Sequence, residues 1–400
     1  MNDRILFVDD NPSVLRGLRR MLLELEDTWQ MHFAESGEEA LAMMDREPFD
    51  VIVSDLQMPL MNGTELLERV RSRSPGTVRL ILSGYSDNTQ ILKSAMTAHQ
   101  FLSKPSSREV IQSALERVLA LQEILPNPAI REVVARLFSL PVLPSTYDEL
   151  MRATTSGQKD AIDEVAGLVS RDLGLSASIL KLVNTAFFGL PQHIDNPARA
   201  VSLLGIEIIK ALIVSGHFIS PFNPRRHPGF ALEDLWTHSR NTARFAETIA
   251  RLEGADQKTA DQAYLGGLFH DVGKLVLACA FEDEFHAIID LANTRNITII
   301  DAEREVISVS HVQIGAYLLG LWGFDEHIVH GMLCQLNLSA REARPLTTAV
   351  HAANALEHEL RIINPGYATH PVDTAYLEHH GLTGRYEVWR EACRNLITGK

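Results

Sequence analysis

Five polar residues in the first third of the chain stand where short apolar runs end. Asp9 and Asp10 follow Ile5-Leu6-Phe7-Val8, Asp55 follows Val51-Ile52-Val53-Ser54, Ser83 follows Val78 to Leu82, and Lys104 follows Gln100 to Leu102. Three carboxylates suit a hard divalent cation such as Mg²⁺, which prefers oxygen ligands and keeps several waters. Such a cation and the Lys104 ammonium can together neutralise an incoming phosphoryl group. A second set lies far downstream: His238, the doublet His270-Asp271, then His311, His330, His351 and Asn354. A carboxylate beside a buried apolar stripe must be paired or bound to metal.

The elements that must position the first set are legible as alternating runs. Ile5 to Val8 reads as a buried strand, and Val14, Leu18, Met21, Leu22 and Leu25 follow it at helical spacing. Met31 to Ala34 is a weaker strand. Ser36 and Glu39 form a capping box that opens a helix through Met44. Then come a strand at Val51 to Val53, a helix at Thr64 to Arg71, a strand at Val78 to Leu82, and a helix around Ile91 to Met96. A strand at Gln100 to Leu102 and a helix from Ser107 complete five βα units. Strands this apolar, each followed by a helix, predict an α/β doubly wound parallel sheet of five strands, with ligands beyond the strands' carboxyl ends. The five polar residues converge on that edge.

This segment resembles the response-regulator receiver family. The resemblance rests on Val8-Asp9-Asp10, Ser54-Asp55-Leu56-Gln57-Met58-Pro59 with Gly63, Leu82-Ser83-Gly84 and Lys104-Pro105, in the family's order and spacing. It implies a flavodoxin-like fold in which Asp55 accepts phosphate from a sensor histidine kinase or phosphotransfer protein. It further implies that Asp10 and Asp55 bind Mg²⁺ directly, that Asp9 acts through water, and that the Gln57 carbonyl contributes. Ser83 and Lys104 would hold phosphoryl oxygens. Phe101 fills the switch-aromatic position, although core packing alone would also explain an aromatic there.

Beyond Pro126 and Pro128 the pattern becomes helical to about Leu360. Leu265, Leu268, Phe269, Val272, Leu275 and Val276 predict one amphipathic helix through His270-Asp271. His238 falls on the register of Leu235, Thr242, Phe245 and Ile249. His238, His270 and Asp271 resemble three of the four ligands of the HD superfamily of metal-dependent phosphohydrolases. Asn354 stands where the resemblance implies an Asp, which removes a negative ligand and weakens any divalent site. His311 with Gly315 is similar to a feature of the HD-GYP phosphodiesterases, but their His-His pair and GYP segment are absent. The HDOD branch, an all-α HD-related output domain, fits better. It is matched by Leu140-Pro141-Val142-Leu143-Pro144, Asp172-Leu173-Gly174-Leu175-Ser176, Leu182 to Gly189 and Ala200 to Gly205, residues that read as packing and turns. Two readings of the cluster stay open: a metal-free hydrogen-bonded set, or a weak mononuclear metal site. His327 and His330 read as surface or pocket-lining histidines.

The expected organisation is a receiver over 1–122, a linker over 123–130, an HDOD domain over 131–340 and a helical or irregular extension over 341–400. A net charge of −14 without a basic stripe argues against nucleic acid and anionic membrane as partners. Three scattered cysteines and no long apolar run point to a soluble cytoplasmic protein. The expected function is a two-component response regulator. Phosphorylation would change which partner, a protein or a nucleotide, the HDOD domain binds, and a homodimer through the receiver's last helices is compatible with the family. The alternative is a phosphorylation-gated metal-dependent phosphohydrolase.

Overall fold

A computed structural model describes residues 3–84, 97–155, 160–184, 193–214, 222, 232–336, 338, 345–361 and 368–398. The predicted helix around Ile91 to Met96 and the stretch Thr185 to Gly189 lie outside the described residues.

The first part is the expected parallel sheet, ordered β2-β1-β3-β4-β5, with β1 Asp3–Val8, β2 Trp29–Ala34, β3 Val51–Ser54, β4 Val78–Ser83 and β5 Gln100–Ser103. Its helices are α1 Pro12–Met21, α2 Gly37–Met44, α3 Gly63–Arg73 and α4 Arg108–Ile124. Ile5, Leu6, Phe7 and Val8 are all buried because helices cover both faces of the sheet. Asn11, Ser36 and Asn62 cap α1, α2 and α3 by accepting from backbone N–H groups.

Among the described residues, the elements of the remainder are helices: α5 Pro128–Val134, α6 Pro144–Thr155, α7 Ala161–Arg171, α8 Leu173–Val183, α9 Pro197–Leu204, α10 Ile206–Val214, α11 Leu232–Leu252, α12 Gln257–Phe269, α13 Val272–Ala280, α14 Glu282–Arg295, α15 Ile299–Ile307, α16 His311–Leu321, α17 Glu326–Cys334, α18 Pro345–Leu360, α19 Thr374–His379 and α20 Thr383–Thr398. The apolar motifs have a structural reason. Asp172 caps α8 by accepting from Leu175 N, and its second oxygen accepts from Leu143 N at 3.1 Å. That bond ties the Leu-Pro-Val-Leu-Pro segment to α8. Gly174 has no room for a Cβ, which would collide with the Pro141 carbonyl.

Two expectations need correction. The predicted continuous helix through His270-Asp271 is broken there: α12 ends at Phe269, and Asp271 is the N-cap of α13. The turn re-aims both side chains while the apolar stripe continues, so periodicity alone could not detect it. The proline-bearing stretch around 126–128 starts a new helix, with Asn127 as its cap and Pro128 in its first turn. Leu125 and Ile130 beside it are buried in one apolar core that runs from β1, β3 and β4 through α4 into the helical part. The receiver-like sheet and the helices therefore share an interior.

Candidate functional site

The first site forms at the carboxyl edge of the sheet. Asp9 is buried, Asp55 half-buried and Asp10 exposed, and each offers an oxygen within 4.8 Å of the others. Lys104 Nζ lies 2.6 Å from Asp9 Oδ2 and 3.0 Å from Asp55 Oδ1. Burial raises the Asp55 carboxyl above its ordinary value, against the pull of Lys104. A cavity of about 670 Å³ opens beside Asp10, lined by Gln57, Met58, Pro59 and Thr64. The loop after Asp55 folds back so closely that a Cβ at Gly63 would collide with the Asp55 carbonyl. Ser83 Oγ, at the end of β4, donates to the Gly84 carbonyl at 3.1 Å. Phe101 is half-buried and packs on both cores of the sheet. Asp9, Asp10, Asp55, Ser83 and Lys104 stand at this edge, while Phe101 lies further back within β5. Three oxygen donors, with solvent access through Asp10, fit a magnesium ion that keeps several waters.

The second site is a sealed cluster between α11, α13, α16 and α18. His238 Nε2 and His270 Nε2 face each other at 3.0 Å, and stand 3.5 and 3.4 Å from Asp271 Oδ2. Behind them, His238 Nδ1 pairs with Glu357 Oε2 at 2.6 Å and His270 Nδ1 with the Gly267 carbonyl at 2.7 Å. Asp271 is held from two further sides, by His311 Nε2 at 3.1 Å and Lys274 Nζ at 2.6 Å. His311 Nδ1 in turn meets Glu303 at 2.7 Å. Burial works to raise the Asp271 carboxyl, but His270, Lys274 and His311 outweigh it and hold it well below the usual range. Burial pushes His238 and His270 down to about 4 and Glu357 up to about 7. For His311 burial is outweighed by Glu303 and Asp271, and its value rises.

Whether these residues fit a metal can be tested on their geometry. Ligands about 2.1 Å from one ion stand about 3.0 Å apart at right angles and about 3.4 Å apart at the tetrahedral angle. The three edges of the His238–His270–Asp271 triangle match that range. With each Nδ1–H donated outward, two imidazole lone pairs confront each other, and burial disfavours a proton between them. The Oδ1 of Asn354 is buried without a hydrogen-bond partner. The donor set fits one divalent ion.

The structure brings His238, His270 and Asp271 together, with Asn354 beside His238, and His311 joins them. His351 does not: its Nδ1 pairs with the Gln335 carbonyl at 2.6 Å, and its Nε2 accepts from Asp373 N at 2.9 Å. Gln335 donates to the His270 carbonyl at 3.2 Å. His327 is exposed, and His330 lies 3.5 Å from Cys334. Sequence reasoning missed Glu357, His358 and Glu303. His358 stacks on His238 with ring centroids 4.6 Å apart. The spacing of Asn354, Glu357 and His358 at i, i+3 and i+4 was the available signal for two of them.

The sheet topology and acidic edge define a receiver-bearing signalling protein. The response regulator receiver domain family matches residues 5–116, and the HDOD domain family matches residues 140–338. An uncharacterized protein of Treponema pallidum is 29% identical over 227 residues, covering 56% of this chain and 43% of that protein. The transcriptional regulatory protein TrcR of Mycobacterium tuberculosis is 34% identical over 201 residues, 50% of this chain and 67% of TrcR. The crystal structure of the MmoQ response regulator from Methylococcus capsulatus is similar in fold, with a TM-score of 0.50 and 22% identity over 63% of this chain and 98% of that one. The chain spans less than half the length of the Treponema relative. This chain belongs to the response-regulator family, as a receiver joined to an HDOD output domain of the HD superfamily. A receiver implies a phosphodonor such as a histidine kinase. No helix among the described residues is long and apolar enough to cross a membrane.

Proposed function

We propose that Asp55 is the phosphoacceptor, and that its phosphorylation sets which partner the HDOD domain binds. The observation that carries the first half is the Lys104 ammonium set between Asp9 and Asp55 at the sheet's carboxyl edge. Asp10, Asp55, the Gln57 carbonyl and, through water, Asp9 hold Mg²⁺. Ser83 and Lys104 take phosphoryl oxygens, and Phe101 follows Ser83 inward. The donor is a sensor histidine kinase or a phosphotransfer protein. Acetyl phosphate with Mg²⁺ should label the parent and leave Asp55→Asn unlabelled; equal labelling of both refutes the assignment.

The HDOD domain acts as a binding module, for a protein partner or a nucleotide, and carries out no turnover. The support is the sealing of its cluster: both oxygens of Asp271 are engaged, by His311 and Lys274, and Asn354 replaces an anionic ligand. His238, His270, Asp271 and the Asn354 carbonyl hold one weakly bound divalent ion, whose role is to order the four helices that supply and surround them. When bound, such an ion supplies positive charge where the two imidazole lone pairs meet. Stoichiometric Mn, Fe or Zn, together with nucleotide or cyclic-dinucleotide hydrolysis abolished by Asp271→Ala, would overturn the binding-module reading in favour of a phosphohydrolase.

A further inference from the structure

We propose that α16 is the element through which the receiver acts on the HD-type cluster, and that Gln313 is its positioning residue; the proposal rests on the reading of Asp55 as phosphoacceptor. One helix touches both the cluster and the strand that leads to Lys104. At its N-terminus, His311 lies 3.1 Å from Asp271 of the cluster. At its C-terminal end, the Gly320 carbonyl accepts from Gln100 Nε2 at 2.9 Å, and Gln100 is the first residue of β5. Along the same strand lie Phe101 and, just past its end, Lys104 of the acidic pocket. The span from Gln100 to Lys104 is about 13 Å of extended chain, and α16 is about 16 Å long. Two short, stiff segments therefore join the acceptor pocket to Asp271.

The attachment to the receiver includes three points. Besides the Gln100 bond, Leu121 of α4 seats in a notch at Gly320, where a Cβ would collide with it. The third point is Gln313, whose side chain is used at both ends. Its Oε1 accepts from Ser310 N at 3.0 Å, completing the capping box that starts α16. Its Nε2 donates to the Ile124 carbonyl at the end of α4, also at 3.0 Å. The last helix of the receiver thus holds the turn that aims His311.

On the far side, α16 meets α13 backbone to backbone. A Cβ at Gly273 would collide with the His311 carbonyl, and one at Gly315 would lie 2.7 Å from Val272. Helices this close do not slide independently, because the Gly273 and Gly315 backbones meet with only the stiff Val272 side chain beside them. Asp271 is the N-cap of α13, so a shift of α16 moves both members of the His311–Asp271 pair. Nearly every residue of α16 is buried, which leaves the helix no alternative but to move as a body.

Gln313→Glu separates the two uses of that side chain. A carboxylate still accepts from Ser310 N and caps the helix, but it cannot donate to the Ile124 carbonyl and repels it instead. Gln100→Ala is the milder companion, removing only the bond to Gly320. The measurement is amide hydrogen exchange on the full-length protein, with and without beryllofluoride and Mg²⁺ as the phosphoryl mimic. Peptides over 98–104 report the receiver, and peptides over 268–280 and 309–321 report the cluster. In the parent, both sets should change exchange rate by about fivefold or more, a typical coupling between two sites. In Gln313→Glu the receiver response should persist while the cluster response falls to less than half of the parent's, with Gln100→Ala between the two. A parent whose receiver peptides respond while its cluster peptides do not overturns the proposal. So does an undiminished cluster response in both variants. A parent in which neither set responds, like Asp55→Asn, overturns the phosphoacceptor reading and the coupling with it.

Discussion

The two acidic centres of this chain use the same side-chain type in opposite ways. Among the described residues of the receiver, three carboxylates crowd one sheet edge with a single ammonium between two of them, and one carboxylate faces solvent. That arrangement is short of positive charge and open to receive it. In the HDOD domain, Asp271 is buried and meets two imidazoles, a third imidazole and an ammonium, all supplied by the chain. There the charge is balanced from within, and what is unsatisfied is a pair of nitrogen lone pairs and the Asn354 oxygen. An incomplete charge balance at an accessible edge suits a site that cycles through phosphate and metal. A closed balance in the interior suits a structural junction.

The sharpest way to break this contrast is to remove one carboxylate from the closed site. Asp271→Ala leaves His311 and Lys274 buried beside an empty position, and deleting one partner of a buried charge pair costs about 3–5 kcal/mol. Urea unfolding should show that loss, and a cost below about 1 kcal/mol would mean that the cluster is not a balanced junction. Gly273→Ala tests the same region sterically. The added methyl meets the His311 carbonyl, and overpacking of this kind costs about 1–3 kcal/mol in the same measurement.

The contrast also explains what could be read from the sequence. The receiver site was legible because each of its residues sits at a strand end, and a parallel sheet places all strand ends on one edge whatever the loops do. Asp55, Asp9, Asp10 and Lys104 needed no knowledge of tertiary packing. The helical cluster draws on four helices whose relative rotation is set by packing, so sequence spacing identified His238, His270, Asp271 and Asn354 only through family resemblance. Glu303 carries no local signal: it is an acid inside the apolar stripe of Ile299, Ile300 and Ala302, and its purpose appears only when His311 is placed against it. The break at Phe269 was hidden for a related reason, because the apolar stripe continues on both sides of the turn.

A smaller effect distinguishes two buried carboxylates of the helical part. Asp271 is held down by cations, whereas Asp172 is bound by backbone N–H groups and burial pushes it up to about 6. A raised value means that the native state keeps a proton the unfolded chain releases. The associated stability is present below about pH 4 and lost as pH rises through about 6. Asp172→Asn removes the titration, so its stability relative to the parent should improve from pH 5 to pH 7.5 by about 1–2 kcal/mol. A difference independent of pH would show that the Leu143 and Leu175 N–H groups already offset burial.

The smallest effect belongs to the open site, and its sign is what matters. Asp10 is exposed and stands among carboxylates that, among the described residues, Lys104 neutralises, with Lys104 itself committed to Asp9 and Asp55. Without Mg²⁺, Asp10→Asn removes a like charge from this group and should raise Tm by about 1–2 °C at low ionic strength. Salt should diminish the gain, since exposed charges are screened over about 10 Å at 0.1 M. With millimolar Mg²⁺ the order should reverse, because the parent gains a ligand that binds only its folded state while the variant has lost a direct oxygen donor. Thermal unfolding of the two proteins in a magnesium series measures both signs at once. If the variant stays ahead at every magnesium concentration, Asp10 is not a metal ligand, and the open pocket is completed by other donors.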